Sequence, residues 1–335
     1  MKFSVGLPTG MEGLTYPVPF ATRDQIVEIA KLCEKLGYDS VWGNDHMSTQ
    51  GYVRREFAEP PNYWEILITY AFVCAATTKL RVGTSLLVLP LRRDIVVTAK
   101  QIATLDQFSN GRVEIGIGIG AYREEFEALN PGEDVHRGRM VTEGIQALRM
   151  LFSERRCTFE GEYYRFRDVE MYPKPLQTPL PLLIGGNSVA GAQRAALYAD
   201  GYIPACQSPK IFGEGVKRVR EMAHAAGRDP DAIEMAPQLA LHIARTHEDA
   251  LRNFEKTQMC KHLNSLRQST LKGQGAHTHA ESNIIGSVEE CIERSNAYRE
   301  AGADHLLGLF IAANSYQELV EQIQLYAEEV MPHVK

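Results

Sequence analysis

The feature that most restricts this chain is a repeated order. A short apolar or β-branched run is followed by a longer stretch of helical period, about eight times between residue 2 and residue 330. Strands are expected at 2–7, 39–43, 81–87, 113–119, 182–184, 202–204, 233–244 and 305–310. Helices are expected at 23–36, 63–77, 94–108, 137–152, 189–198, 209–226, 289–301 and 316–330. The helix at 23–36 carries Ile26, Ile29, Ala30 and Cys33 on one side and ends at Gly37, a residue suited to a left-handed C-cap. Repeated βα units imply a parallel sheet with helices packed on it. Eight of them favour a (β/α)8 TIM barrel over an open doubly wound sheet. No linker rich in Pro, Gly or Ser divides the chain, so residues 1–335 read as one domain with two insertions. The first, at about 157–180, is a hairpin turning at Glu160-Gly161-Glu162. The second, at about 255–283, is polar and strandless, and is expected to be a lid or an oligomer contact.

Composition removes several classes of function. With 44% hydrophobic and 23% charged residues the chain resembles an ordinary globular protein, and it lacks the run of about 20 apolar residues a membrane helix needs. A net charge of −6 and the absence of a basic face argue against nucleic acid as a partner. The six cysteines form no CxxC pair and read as buried thiols. The N-terminus alternates like a strand and has no signal-peptide layout, which makes the cytoplasm the expected location.

A barrel of this kind places its active site at the C-terminal ends of the strands. Three strand ends carry informative residues. In LLIGGNSVAGAQRAALYADG an apolar strand runs into Gly185 and Gly186, then Asn187, Ser188 and an Ala-rich helix. Bare amides in the first helical turn suit a phosphate, and the Asn187 and Ser188 side chains offer further donors. The same residues also suit a plain βα turn capped by Asn187 or Ser188. In GRVEIGIGIGAYREEF, Gly116, Gly118 and Gly120 alternate with isoleucine, which clears one strand face for a planar ligand or for tight packing. Tyr122, Arg123 and Glu124 follow at the rim. In SVWGNDHMST, His46 stands at a strand end beside Asp45 and is the candidate acid/base. Arg137 and Arg139 could offer charge to an anionic cofactor. Cys260-x-His262 and His277-x-His279 have zinc-compatible ligand types but match no familiar spacing, and no metal is expected.

Taken in order, SVWGNDHM, RVGTSLLVLPLR, ATLDQFSNGRVEIGIGIGAYREEF, HRGRMVTEGIQALRMLF, FEGEYYRFRDVEMYPKPLQTPLPLLIGGNS and IGSVEECIERSNAYREAGADHLLGLF resemble the luciferase-like flavin-dependent oxidoreductases. The resemblance spans residues 1 to about 330. It implies a tricyclic cofactor, reduced FMN or alternatively the deazaflavin coenzyme F-420, lying across the strand ends. Its phosphate would fall on Gly185, Gly186, Asn187 and Ser188. A ring-supporting bulge, often with a non-proline cis peptide, would fall at Ser85-Leu86. Ile119, Gly120, Ala121 and Tyr122 would line the cofactor, together with Asp45, and His46 would face the ring's reactive side. Ala121 stands where deazaflavin-dependent sugar-phosphate dehydrogenases carry a glutamate proton donor, which argues against that activity. The histidine pair of the light-emitting enzymes is here Asp45-His46, which argues against light emission.

These features imply a monooxygenase using reduced FMN, supplied by a separate flavin reductase, and O2 on a small organic substrate. Hydride transfer with coenzyme F-420 is the alternative, and a non-catalytic flavin-binding protein is the alternative of another class. The relatives are commonly homodimers.

Overall fold

The computed structural model describes residues 1–9, 12–18, 20–267, 269–272 and 278–334. Its elements, in chain order, are β1 (Lys2–Gly6), α1 (Arg23–Leu36), β2 (Ser40–Gly43), α2 (Gly51–Glu56), α3 (Ile66–Ala76), β3 (Arg81–Val88), α4 (Ile95–Ser109) and β4 (Val113–Gly118). There follow α5 (Arg123–Leu129), α6 (Arg137–Ser153), β5 (Cys157–Glu160), β6 (Arg165–Val169), β7 (Leu182–Gly185), α7 (Val189–Tyr198), β8 (Gly201–Ile203) and α8 (Pro209–Ala225). The last are β9 (Glu234–Met235), β10 (Gln238–Ile243), α9 (His247–Glu255), α10 (Gln258–Leu266), β11 (Ile284–Gly286), α11 (Val288–Glu300), β12 (His305–Ile311) and α12 (Tyr316–Leu325).

Local chemistry sets these boundaries. Helix α1 starts at Thr22, whose hydroxyl accepts from the Gln25 amide while the Gln25 side chain accepts from the Thr22 amide. It stops at Gly37, which takes φ 83° and returns its amide to the carbonyls of Cys33 and Glu34. Helix α4 is opened by Asp94, which accepts from the amides of Val96 and Val97, and closed by Asn110 in the left-handed region.

Ten strands form one curled sheet in the order β11-β10-β12-β1-β2-β3-β4-β7-β8-β9, with parallel pairings throughout. Strands β5 and β6 form the separate antiparallel hairpin anticipated at 157–180. The single strand expected over 233–244 is two strands. Ala236-Pro237 interrupts it, and Pro237 has no N–H to give a ladder. The backbone of this run bonds β8 on one side, through Ala236 N to Tyr202 O, and the β12 strand on the other, through Leu307 N to Pro237 O. Trp42, Leu183, Ile203, Ala236 and Leu307 pack together although β2 and β7 stand three places apart in the strand order. Only a curled sheet brings them into one cluster, and that cluster fills the inside of the curl. Helices cover the outer face around a much larger apolar core.

Four helices were not anticipated: α2, α5, α9 and α10. Helix α10 lies in the stretch expected to be polar and strandless, with Met259, Leu263 and Leu266 buried. No helix among the described residues is long and apolar enough to cross a membrane.

At the N-terminal end of the strands Glu234 accepts from His305 Nδ1 and Lys2 Nζ, each at 2.9 Å. Burial opposes its ionisation, but the hydrogen bond from His305 and the Lys2 ammonium outweigh it and hold its carboxyl near 2, from an ordinary 4.5. A depressed folded pKa gives stability that is present above pH 4.5 and lost as pH falls toward 2. Glu234→Gln is therefore expected to cost on the order of 3 kcal/mol at pH 7. The difference from wild type in urea unfolding should shrink across that window and vanish near pH 2. A difference independent of pH would contradict the assignment.

Candidate active site

At the C-terminal strand ends a cavity of about 360 Å³ opens; Asp45, His46, Ser85, Leu86, residues 119–122 and residues 185–188 contribute to its wall, whereas Arg123, Glu124 and Arg139 do not. Its floor is β3. The Ser85–Leu86 peptide is cis, and the pairing of β3 with β4 shifts register between Thr84 and Leu87. The Gln238 amide donates to the Ser85 hydroxyl and ties this bulge to β10. The face cleared by Gly116 and Gly118 holds protein. A Cβ on Gly118 would lie 2.7 Å from Leu86 Cδ1, and one on Gly116 would collide with the Thr84 carbonyl. These glycines make room for the Leu86 side chain and do not receive a ligand directly. Gly120 does have a conformational role, at φ 83°. Its carbonyl accepts from Arg137 Nη1 at 3.0 Å.

The far end is built by β7 and the start of α7. The Gly186 amide is engaged by the Ile203 carbonyl at 3.1 Å. The Asn187 side chain is fully used, donating to the carbonyls of Ala205 and Thr270 and accepting from the Ala205 amide at 2.8 Å. The expectation that Gly186 N–H and the Asn187 side chain are free donors is thus corrected, because neighbouring backbone claims both. Ser188 is the N-cap and accepts from the Gly191 amide. Among the described residues, the amides of Asn187, Ser188, Val189 and Ala190 have no hydrogen-bond partner. Gly186, at φ 139°, leaves the space beside them open. Two arginines reach the same wall. Arg137 bonds only the Ile119 and Gly120 carbonyls, and Arg194 bonds the Thr142 hydroxyl. Neither has a carboxylate partner among the described residues, and burial pulls both guanidinium pKa values down. A half-buried cation without a salt-bridge partner is suited to receive an anion.

The opposite end follows β2. Asn44 has a buried Oδ1 without a partner among the described residues. Asp45 lines the cavity, and its carboxylate is engaged by the protein: Arg92 approaches both of its oxygens, at 2.7 and 3.3 Å, and the Val88 amide donates to it at 3.1 Å. Burial, the largest influence, pushes its carboxyl up despite Arg92. Its work is to lock the ends of β2 and β3 together. His46 Nδ1 lies 3.1 Å from Glu125 Oε2 and 2.9 Å from the Gln50 amide. The carboxylate asks that nitrogen to donate and the amide asks it to accept. Nε2 has no partner among the described residues. Burial works against charge on Glu125, but His46 and the amides of Met47 and Ser48 prevail and lower its pKa. Tyr63 and Tyr122 flank the imidazole, with ring centroids 5.8 and 6.1 Å away.

Several of these residues escaped the sequence reading. Glu125 was hidden as one acidic residue among several at the rim. Arg194 was hidden in an Ala-rich helix. In α10 the apolar spacing of Met259, Leu263 and Leu266, with His262 on the same side, was the available signal. Among the described residues no three His, Cys, Asp or Glu side chains could hold a metal. His277, half of one weighed pair, lies outside the described residues, and Cys260 accepts from Asn264 Nδ2 instead.

The model of the luciferase-like monooxygenase family matches residues 1–305. An F420-dependent glucose-6-phosphate dehydrogenase of Amycolatopsis mediterranei is 29% identical over 94% of this chain and 88% of its own length. An FMNH2-dependent dimethylsulfone monooxygenase of Pseudomonas putida is 26% identical over 92% of this chain and 87% of its own. Among solved structures, an F420-dependent secondary alcohol dehydrogenase in complex with an F420-acetone adduct superposes with a TM-score of 0.80. It is 22% identical and covers 100% of this chain and 99% of that one.

Proposed function

This chain belongs to the luciferase-like monooxygenase family, and from that premise we propose that it is a flavin-dependent oxidoreductase. The cofactor it takes is reduced FMN, with coenzyme F-420 as the alternative, held in the cavity at the strand ends. The observation that carries this reading is that Asn187 and Ser188, whose amides lack partners among the described residues, line the cavity together with two arginines lacking carboxylates. Amides and guanidinium groups together are a phosphate's natural partners. The ring has a partner too, since the orphaned Asn44 Oδ1 is an acceptor for a ring N–H. Leu86, filling the glycine-cleared face of β4, gives that ring a solid floor.

When bound and reduced, such a cofactor supplies a hydride or the electrons that activate O2. The chain's own part is to hold, exclude and protonate. Asn187 clasps the segment after α10 to the β8 end through Thr270 and Ala205, which narrows the mouth and keeps water out. His46, steadied by Glu125 and Gln50, holds or moves the proton at its Nε2. Ala121 offers no acid, so oxidation of a sugar phosphate is not the activity proposed. FMN takes first place because Arg137 and Arg194 are the lysines and arginines that line the cavity among the described residues. One phosphate occupies them and leaves no cation for an oligoglutamate tail.

The sheet reads as a TIM barrel closed through residues 234–243, which bond β8 and β12 at once, in a single domain capped at 255–283. A homodimer would cover Ile68 and Phe72 on α3 and Val97 and Phe108 on α4, all exposed, and a separate reductase would supply the reduced flavin. Anaerobic titration with reduced FMN and with coenzyme F-420, followed by admission of air and a substrate panel, tests the reading. Saturable binding of one cofactor and substrate-dependent turnover are expected. Binding without turnover would favour a flavin-storage protein, and binding of neither would refute the proposal.

A further inference from the structure

Helix α10 brings a second histidine to the cavity. His262 lines the same wall as Met259, Leu263 and Leu266. The helix is fixed there, by Gln258 donating to the Gly13 carbonyl at 3.0 Å and by an ion pair between Lys261 and Glu56. His262 Nδ1 faces two phenols, Tyr52 at 3.2 Å and Tyr122 at 3.3 Å. Both phenols belong to one hydroxyl network with Ser265. The Ser265 hydroxyl gives its proton to the His262 carbonyl at 2.7 Å, so its oxygen is left to accept from Tyr122 at 3.0 Å. We assign the Tyr52 proton to Nδ1, which makes that nitrogen an acceptor. Burial, with His46 nearby, drops the imidazole pKa to about 3, so the ring is neutral at physiological pH. A neutral imidazole that accepts at Nδ1 carries its proton on Nε2. Among the described residues that N–H has no partner.

We propose that His262 is the substrate-positioning residue. Its Nε2–H would hold the carbonyl or hydroxyl oxygen of a small, uncharged, mainly apolar substrate, a ketone or the corresponding alcohol. This rests on the oxidoreductase reading above and deepens it. The surroundings agree: Met259, Leu263, Leu266, Ile203 and Phe310 are apolar, and the arginine hydrogen bonds go to the Ile119 and Gly120 carbonyls and to Thr142, not to His262. A substrate placed in such a chamber gains from burial of its carbon frame, while a single donor fixes its orientation. A charged substrate would find no counter-ion there.

The test uses the full chain labelled with ¹⁵N-histidine and needs no turnover. Long-range ¹H–¹⁵N correlation spectra should show His262 as the Nε2–H tautomer, unprotonated from pH 7 down to 5. Titration with cyclohexanone should shift that resonance. His262→Leu should weaken cyclohexanone binding about tenfold and His262→Gln should restore most of it, while methylcyclohexane binds all three alike. Tyr52→Phe removes the donor to Nδ1 and should yield a tautomer mixture, a check that survives if His262→Leu fails to fold. An Nδ1–H tautomer, an imidazolium at pH 7, absence of cyclohexanone binding, or undiminished binding in His262→Leu would each overturn the assignment. FMN titrated into the same variants should bind as in wild type. Loss of FMN binding in wild type would instead sink the oxidoreductase reading, and the two failures are told apart.

Discussion

Replacing Arg137 and Arg194 together by alanine is expected to weaken FMN binding at least about 10²-fold while leaving the fold intact. A hydrogen bond to a charged group contributes about 1.5–3 kcal/mol, so two lost guanidinium contacts account for that factor or more. Neither side chain makes another hydrogen bond among the described residues: their bonds go to the Ile119 and Gly120 carbonyls and to the Thr142 hydroxyl. Removing them also relieves two half-buried cations of their partial desolvation, so stability should be unchanged or slightly higher. Calorimetric titration of the double variant, with thermal unfolding alongside, checks both halves. Wild-type affinity in the double variant would remove the arginines from the site and leave the amides of α7 alone there.

His46→Ala is expected to lower turnover by about 10²-fold or more and to leave cofactor affinity nearly unchanged. The imidazole is not part of the phosphate wall, and it hydrogen-bonds Glu125 and Gln50. Glu125→Gln should give a smaller loss. It keeps a polar partner at Nδ1 but loses the negative charge that favours an N–H there. Equal rates in wild type and His46→Ala would exclude proton transfer at this position, and a parallel fall in FMN affinity would make the residue a binder.

What the sequence revealed and what it concealed divide along physical lines. Helix α1 was legible end to end because its signals are local: Thr22 and Gln25 at the start, four buried residues on one stripe, Gly37 at the stop. The loop at Gly185–Ser188 was legible as a place, because glycines beside a helix start are rare enough to notice. Its donors were not. Whether Gly186 N–H is free depends on the Ile203 carbonyl, and whether Asn187 is free depends on Thr270, some 83 residues away in sequence. The same limit hid the arginines, since Arg137 meets the cavity only because Gly120 turns its carbonyl outward. Alternating glycines in β4 advertised empty space, but the side chain filling it, Leu86, comes from the neighbouring strand. Helix α10 was missed through attention to its polar residues.

The central claim is that the start of α7, with Arg137 and Arg194, grips a phosphate. The most direct measurement compares riboflavin with FMN, both reduced and under nitrogen, on the wild-type protein. The two share every ring atom and differ by that one group. The account predicts that FMN binds at least about 10²-fold more tightly, the margin of two charge-assisted contacts. Equal affinities would contradict it.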